Sequence, residues 1–474
     1  MEGVIGLSLS KSLNRLAETV KLRYLGLGLL WSWIYCLWFS PAVFSSNDGD
    51  AGGITWLVSL AASAAALFVL AIRPGREKRL HSAWLYVAPI GVSLSTFALL
   101  LASDGVVAWV SAAVGGLLTA FLWVQWGELY CSLDEEVMEA CVPSSAIIVI
   151  GSALLSIGLP SLAAGVFVAL IPLASGALML VCHGDEAFAV PPFKLANSKK
   201  GLPSLLVRLG LVSMVCAMAS SFILALSEES TSLLFGSLSI LAVAIGALFA
   251  VALSLVLIFF ARRIDFASLY QWVVPILVLS ICLFIAGGRN AGTVSLALSF
   301  CVAFAVDCLF MIIAARITKK GLCAPAEAFG IFRGFVQAGC FAAGLIARAA
   351  VDLHIELVHI LLAFVFVSVI ALVAVVRLQE ELKNLTNPPV SVNASLSSSD
   401  EDAVGRMAEQ YRLSPREVDV LRLLSRGRSV PYMRDALVIS KSTIETHIKH
   451  LYAKAGVHSR QELINLLESY RQEV

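Results

Sequence analysis

The chain has 474 residues, 59% of them hydrophobic and only 14% charged, with a formal net charge of +1 and a mean hydropathy of +0.87. Soluble domains carry about 25% charged residues, so this composition excludes a soluble protein and points to an integral membrane one. The near-zero charge averages unlike parts: residues 411–474 hold eleven Lys/Arg against seven Asp/Glu, and a mildly basic segment suits an anionic partner.

In chain order, Lys11, Arg15, Lys21 and Arg23 precede an apolar run from Tyr24 to Phe44. The run has about the twenty residues a span needs, more than a signal-peptide core, and no small-x-small cleavage site follows. We therefore predict a cytoplasmic segment 1–22 and a transmembrane domain 23–376. Twelve spans are expected, at 23–44, 54–72, 83–102, 105–127, 143–159, 161–182, 204–226, 233–260, 267–286, 292–314, 329–350 and 354–376. Pro160 and Pro172 interrupt the fifth and sixth. The ten cysteines form no C-x-x-C pair and mostly lie in apolar runs, where they read as small hydrophobes rather than metal ligands or disulfides.

Charge predicts the orientation. RPGREKR (73–79), Lys194, Lys199, Lys200, Arg262, Arg263, Arg316, Lys319 and Lys320 fall on one side. SSNDGDAGG (45–53) and SEES (227–230) fall on the other, with Arg289 and Arg348 as exceptions. The positive-inside pattern puts the basic side, and with an even span count both termini, in the cytoplasm. The acidic inner stretch ELYCSLDEEVMEAC (128–141) does not change this, because acids weigh little in that rule. The expected location is the cell's inner, cytoplasmic membrane. The long loop 183–203 divides the spans six plus six. With the basic loop 73–79 between the second and third spans, this resembles the major facilitator transporter fold. That family's loop carries an acidic residue before its glycine, which is absent here. The resemblance implies a two-halved bundle and no particular function.

Ionisable groups inside a bilayer are costly, so each is a functional candidate. Asp307 lies inside the tenth span and Arg333 inside the eleventh, at similar depth. The plainer reading is a buried ion pair that fixes helix register, and the sharper one is a ligand or switch site. In WSWIYCLWFSP, Trp31, Tyr35 and Trp38 share a helical face. Trp38 reads as an interfacial belt residue, while Trp31 and Tyr35 could either stack a ligand or simply pack. Trp123, Gln125, Trp126 and Glu128 repeat such a mix at an inner interface. Arg208, Gln125, Gln271 and Gln337, near span ends, are expected to snorkel or to hydrogen-bond between helices. There is no P-loop and no chain of membrane acids, which favours binding over transport. No enzymatic activity, cofactor or metal is expected.

Residues 377–410, with NPP and SLSSSDED, read as a flexible linker. Beyond it, Ser414-Pro415-Arg416-Glu417 is a capping box opening a helix. Ser429 opens a short helix 430–437, Ser440 caps a helix 441–454 that ends at Gly456, and Ser459 caps the last helix. Val420, Leu421, Leu424, Met433, Leu437, Ile444, Ile448 and Leu451 suffice for a small core. A short helix, a tight turn and a longer polar-faced helix make a helix-turn-helix.

LSPRE (413–417), VLRLL (420–424), Gly427, ISKSTI (439–444), His447 and KAGVHSR (454–460) together resemble the LuxR/NarL-type DNA-binding domain over 413–467. Two stretches depart from the family: VPYM (430–433) opens the first motif helix, and Glu445 stands where a basic or polar residue is common. The resemblance implies that 411–474 is a DNA-binding domain whose helix 441–454 enters the major groove. It implies that Glu445, Thr446 and Lys449 face base edges while Lys441, Ser442, Thr443 and Lys454 contact phosphates. His447 is given a packing role, and family members pair through the last helix, here about 459–469. The expected fold is all-α: a polytopic twelve-helix membrane bundle, six plus six, followed by a small four-helix LuxR-type helix-turn-helix domain. The expected function is a membrane-bound one-component regulator; the alternative is a secondary transporter with a regulatory DNA-binding tail. Expected partners are double-stranded promoter DNA, an unknown small-molecule ligand, the lipid bilayer and a second copy on DNA, with RNA polymerase a possible contact.

Overall fold

Lipid offers the backbone no hydrogen-bond partner, so a spanning segment must satisfy its own N–H and C=O groups. In the computed structural model this is met by helices throughout, with no strand among the described residues. Those residues are 20–40, 51–73, 80–102, 105–183, 202–229, 242–249, 251–252, 266–287, 289–386, 398–425, 433, 437, 441–457 and 460–472.

A 3-10 turn Leu22–Leu25 leads into α1, Gly26–Phe39. Then follow α2 (Ala51–Ile72), α3 (Trp84–Leu101), α4 (Gly105–Ser132), α5 (Glu135–Ser144), α6 (Ala146–Gly158), α7 (Ser161–His183) and α8 (Leu202–Glu229). The second half continues with α9 (Phe266–Ala286), α10 (Arg289–Lys319), α11 (Pro325–Asp352) and α12 (Leu357–Thr386). Of the expected span 233–260, only 242–249 and 251–252 lie within the described residues, and they are helical. Eight helices among the described residues are long and apolar enough to cross a membrane, and shorter apolar helical stretches cover Val273–Ala286 and Leu357–Ala371.

Pro160 falls in the break between α6 and α7 as expected, but the expectation for Pro172 and the start of the fifth span need correcting. The sixth span is not interrupted at Pro172, which sits inside an unbroken α7. The fifth begins earlier than 143, because α5 starts at Glu135, and the joint falls at Ser145, just after Pro143. A proline lacks an N–H and crowds the preceding turn, which weakens the ladder there. α1 packs close to this joint: a Cβ on Gly28 would lie 2.0 Å from the Ser145 carbonyl oxygen. Only glycine fits.

The halves meet where α11 packs on α2 and α4 and where α10 packs on α4 and α5. α11 is built for close approach on two sides. A Cβ on Gly330 would come within 2.7 Å of the Leu67 carbonyl on α2, and one on Gly339 within 2.5 Å of the Met214 carbonyl on α8. Small residues at such crossings supply the dispersion contact that joins helices in lipid, where apolar burial gives no drive. Where α10 meets α5, Arg316 pairs with Glu139, its Nε donating at 3.0 Å, and Lys319 Nζ donates to the Leu133 carbonyl. The acidic stretch 128–141 thus has a structural use.

The tail, Lys383–Val474, is a separate compact unit. It contains α13 (Ser398–Gln410), α14 (Pro415–Ser425), α15 (Lys441–Ala455) and α16 (Arg460–Gln472). The expected capping box is reciprocal: Glu417 N donates to Ser414 Oγ at 3.3 Å and Ser414 N to Glu417 Oε2 at 2.7 Å. Gly456, with φ of +69°, ends α15 as a left-handed cap. Of the helix expected at 430–437, Met433 and Leu437 are described, both helical and buried. The expected caps Ser429, Ser440 and Ser459 lie outside the described residues.

The flexible linker expected over 377–410 needs correcting at both ends. α12 stays helical to Thr386, and α13 folds onto the tail, with Ala403, Val404 and Met407 inside its core beside Val420, Leu424 and Leu463. The acidic-serine run before α13 masks this short apolar stripe. A tail fragment beginning at Ser398 is expected to melt higher than one beginning at Tyr411. Met407→Ala should destabilise the longer fragment by about 2–5 kcal/mol. Circular dichroism melts check both, and equal melting of the two fragments would remove α13 from the fold of the domain.

Candidate intramembrane polar cluster and nucleic-acid interface

Asp307 on α10 and Arg333 on α11 do meet. Arg333 Nη1 pairs with Asp307 Oδ1, and their side chains are 11% and 6% exposed, respectively. The first half supplies two indoles to this pair. Trp31 Nε1 on α1 donates to Asp307 Oδ2 at 3.0 Å. The Trp123 ring on α4 lies under the Arg333 guanidinium, 3.8 Å from centroid to Cζ. A cation over an indole face in a desolvated site contributes about 2 kcal/mol. Trp123 was not among the expected site residues. Its signal was available in WVQWGE, where aromatic and polar groups alternate in an otherwise apolar helix.

Tyr35 packs into an aromatic wall, with ring centroids 4.9 Å from Phe304 and 5.5 Å from Phe300. Trp31 also packs edge-on to Phe304 at 5.7 Å. The shared face of Trp31 and Tyr35 therefore splits into a hydrogen-bonding position and a packing one. A cavity of about 20 Å³ touches Trp123, Asp307, Phe329, Phe332, Arg333 and Val336. It holds about one water molecule, far below the ~300 Å³ of a small ligand site. Arg333 Nε and Trp123 Nε1 are buried with no acceptor. Elsewhere, Gln337 Nε2 donates to Ser63 Oγ at 3.2 Å between α11 and α2, and Arg208 pairs with Glu381 at 2.7 Å. The Gln271 side chain lies outside the described residues.

Removing one partner of a buried pair leaves an uncompensated charge. Asp307→Ala is expected to destabilise the bundle by about 3–5 kcal/mol, and Asp307→Leu with Arg333→Leu to restore most of that. Thermal unfolding of the full-length protein in detergent reads both. A double variant no more stable than the single one would mean that the pair contributes more than mutual neutralisation.

In the tail, α15 buries Ile444 and Leu451 and presents Thr443, Glu445, Thr446 and Lys449 outward. These are the expected base-facing side chains and one of the expected phosphate contacts. The side chains of Lys441 and Ser442 lie outside the described residues. His447 is half-buried, consistent with packing.

Lys454 differs from expectation. Its Nζ donates to Glu417 Oε2 at 2.6 Å and to the Arg412 carbonyl at 3.1 Å. Arg412 is held at φ +49°, a left-handed conformation that aims this carbonyl at the ammonium. Two of the three N–H donors thus tie α15 to the start of α14, so the lysine serves the fold first. The last helix, α16, packs into the same core. Leu463 and Leu467 are buried in the domain's own core, and the exposed face carries Glu462, Asn465, Glu468 and Ser469. α13 is fastened to it: Arg406 Nη2 donates to the Tyr470 carbonyl and Tyr470 OH to Gln410 Oε1 at 2.7 Å.

Burial pushes the Glu417 carboxyl up, but the Lys454 ammonium and the Ser414 N–H and hydroxyl outweigh it and hold the pKa below the usual glutamate value. A depressed carboxylate adds stability that is complete above its unfolded pKa and is lost as pH falls through the folded one. Glu417→Gln should therefore lower the tail's melting temperature at pH 7, with the deficit shrinking as pH falls below about 4. Melts across that range decide it, and a deficit independent of pH would exclude the ionised bond as its source.

Residues 411–467 match the family model GerE, bacterial regulatory proteins of the luxR family. The tail is 43% identical over 53 residues to a protein named as an HTH-type transcriptional regulator in Mycobacterium tuberculosis, which is 11% of this chain and 6% of that protein. It is 41% identical over 58 residues to the Fimbriae Z protein of Escherichia coli, 12% of this chain and 28% of the relative. The chain thus spans well under a third of either. The bundle is similar to a bacterial homologue of the iron transporter ferroportin in its outward-facing state. That likeness has a TM-score of 0.52 and 15% identity, over 76% of this chain and 99% of that one. It is likewise similar to the human organic anion transporter MFSD10, with a TM-score of 0.52 and 16% identity over 74% and 97%. At such identities the likeness is one of fold. The protein is a multi-pass membrane protein with a major-facilitator-like bundle and a C-terminal LuxR-type helix-turn-helix domain.

Proposed function

We propose that this protein is a membrane-tethered one-component transcriptional regulator, whose bundle senses a small molecule and whose tail binds promoter DNA. The observation that carries this is α15: on a domain matched to the luxR family, it buries Ile444 and Leu451 and leaves Glu445, Thr446 and Lys449 outward. Inserted in a major groove, Lys449 donates to guanine O6 or N7 and Glu445 accepts from cytosine N4, with Thr446 beside them. Lys441, Ser442 and Thr443 orient the helix on phosphates, and Lys454 has one N–H left for the same purpose. Two tails on two half-sites form the bound species, with α16 between them, and RNA polymerase is the next contact at a promoter.

The basic loops support an inner-membrane topology with both ends of the chain in the cytoplasm, where DNA is. The two halves of the bundle meet around Asp307, Arg333, Trp31 and Trp123, so a ligand that favours one arrangement of the halves shifts the state of the tails. The fold likeness to transporters supports a second reading, a transporter with a DNA-binding tail, and substrate accumulation in vesicles would single it out.

The test is chromatin immunoprecipitation of the full-length protein, with Thr446→Ala/Lys449→Ala as control. Sharp promoter peaks lost in the variant are expected, because each base contact contributes about 1–3 kcal/mol. Peaks of equal height in the variant would overturn the assignment of α15 as the reading helix.

A further inference from the structure

We propose that the site beside Trp123 and Arg333 takes an uncharged, apolar small molecule carrying a hydrogen-bond acceptor, such as a carbonyl oxygen. This rests on the reading of the bundle as the sensor, and it specifies what is sensed.

Three features select this class. The first is the imbalance of donors and acceptors. Both Asp307 oxygens are engaged, one by Arg333 and one by Trp31. Two N–H donors on residues that line the cavity, Arg333 Nε and Trp123 Nε1, are buried with no acceptor among the described residues. A buried donor left unmatched costs free energy, which an incoming acceptor recovers. An ammonium or amine would bring more donors to a place already in excess of them. The second feature is charge. The Asp307–Arg333 pair sums to zero in a desolvated setting. An anionic ligand would leave a net negative charge there, which low dielectric penalises. A neutral acceptor changes no charge. The third is the wall. Phe310, Met311, Phe329, Phe332 and Val336 line the rest of the cavity, and all are apolar.

The site's construction makes its occupant a conformational effector. Trp123 comes from the first half, and the other lining residues come from α10 and α11 of the second. The cavity of about 20 Å³ admits one water and no organic molecule. A molecule of even ten heavy atoms must move the halves or their side chains relative to each other. Its binding energy therefore goes to one arrangement over the other, which is the condition for a switch.

The test uses full-length protein in lipid nanodiscs and four matched fluorinated probes, followed by 19F NMR titration. 4-Fluoroacetophenone is the neutral acceptor, 4-fluorobenzoate the anion, 4-fluorobenzylamine the cation and 4-fluorotoluene the apolar control. Saturable binding of the ketone at least tenfold tighter than each of the others is expected. Trp123→Phe keeps the ring under Arg333 and removes the donor, so it should weaken the ketone about 3–10-fold and leave the toluene unchanged. Asp307→Asn leaves the guanidinium charge uncompensated and should turn the preference towards benzoate. Benzoate binding best to the native protein, ketone and toluene binding equally, a ketone indifferent to Trp123→Phe, or only linear partition into lipid would each overturn the proposal. None of these results bears on promoter occupancy, so failure here leaves the regulator reading standing. Loss of promoter peaks would in turn leave the binding result intact.

Discussion

A carboxylate cannot remain charged in a lipid-embedded bundle without partners, and Asp307 has one from each half of the molecule: Arg333 from α11 and Trp31 from α1. Arg333 in turn rests on Trp123 from α4. Two side chains of the second half thus each rest against an indole of the first. In lipid, where apolar helices have little reason to prefer one another over acyl chains, such polar and cation–π contacts set which helices are neighbours. They also make the arrangement of the halves depend on a few atoms rather than on diffuse burial.

A second tie lies at the ends of α5 and α10, in the Arg316–Glu139 pair and the Lys319 bond to the Leu133 carbonyl. These groups are partly exposed, where ion pairs contribute about 0–1 kcal/mol and are screened by salt. The buried pair is therefore the stronger constraint. α11, which carries Arg333, also brings backbone to backbone on opposite sides through Gly330 and Gly339. Contacts of this kind tolerate sliding better than interlocked large side chains do. The bundle combines a specific polar lock with a smooth bearing surface, which suits a molecule with two packings of similar energy.

Much of this was legible in the sequence, and the failures have physical causes. The depth of Asp307 and Arg333 in consecutive antiparallel spans was enough to predict their meeting, because helical rise converts residue number to depth. Trp31 and Tyr35 shared a predicted face, but a face does not say which atom finds a partner, and only Trp31 found Asp307. Trp123 stood out in WVQWGE, but its partner did not: an arginine seven helices further along the chain gives its ring a role that no local pattern encodes. Pro143 marks the helix joint while Pro172 is tolerated, since the outcome depends on whether neighbours resatisfy the freed carbonyls. In the tail, the capping box was explicit, but α13 was read as linker. Its three buried residues make too short a stripe to outweigh the serines and acids around them. Lys454 shows the limit of motif transfer. A basic residue in a DNA-binding helix can face the fold, and only its distance to Glu417 tells which.

On the regulator reading, the covered apolar side of α16 has a consequence for control. Leu463 and Leu467 are spent inside the domain, and the exposed side chains described on α16, Glu462, Asn465, Glu468 and Ser469, are polar, so pairing through them draws on little buried apolar area. Weak pairing is a condition for regulation rather than a defect. Tails that dimerised tightly on their own would occupy half-sites whatever the bundle did. Tails that associate weakly respond to how closely two bundles hold them, because tethering converts the second contact into an intramolecular one at a high effective concentration. The affinity of the pair for DNA then follows the arrangement of the membrane domains. That arrangement depends on the two indoles of the first half and the ion pair of the second, so on that reading a molecule of modest affinity at their junction governs a much larger protein–DNA interface.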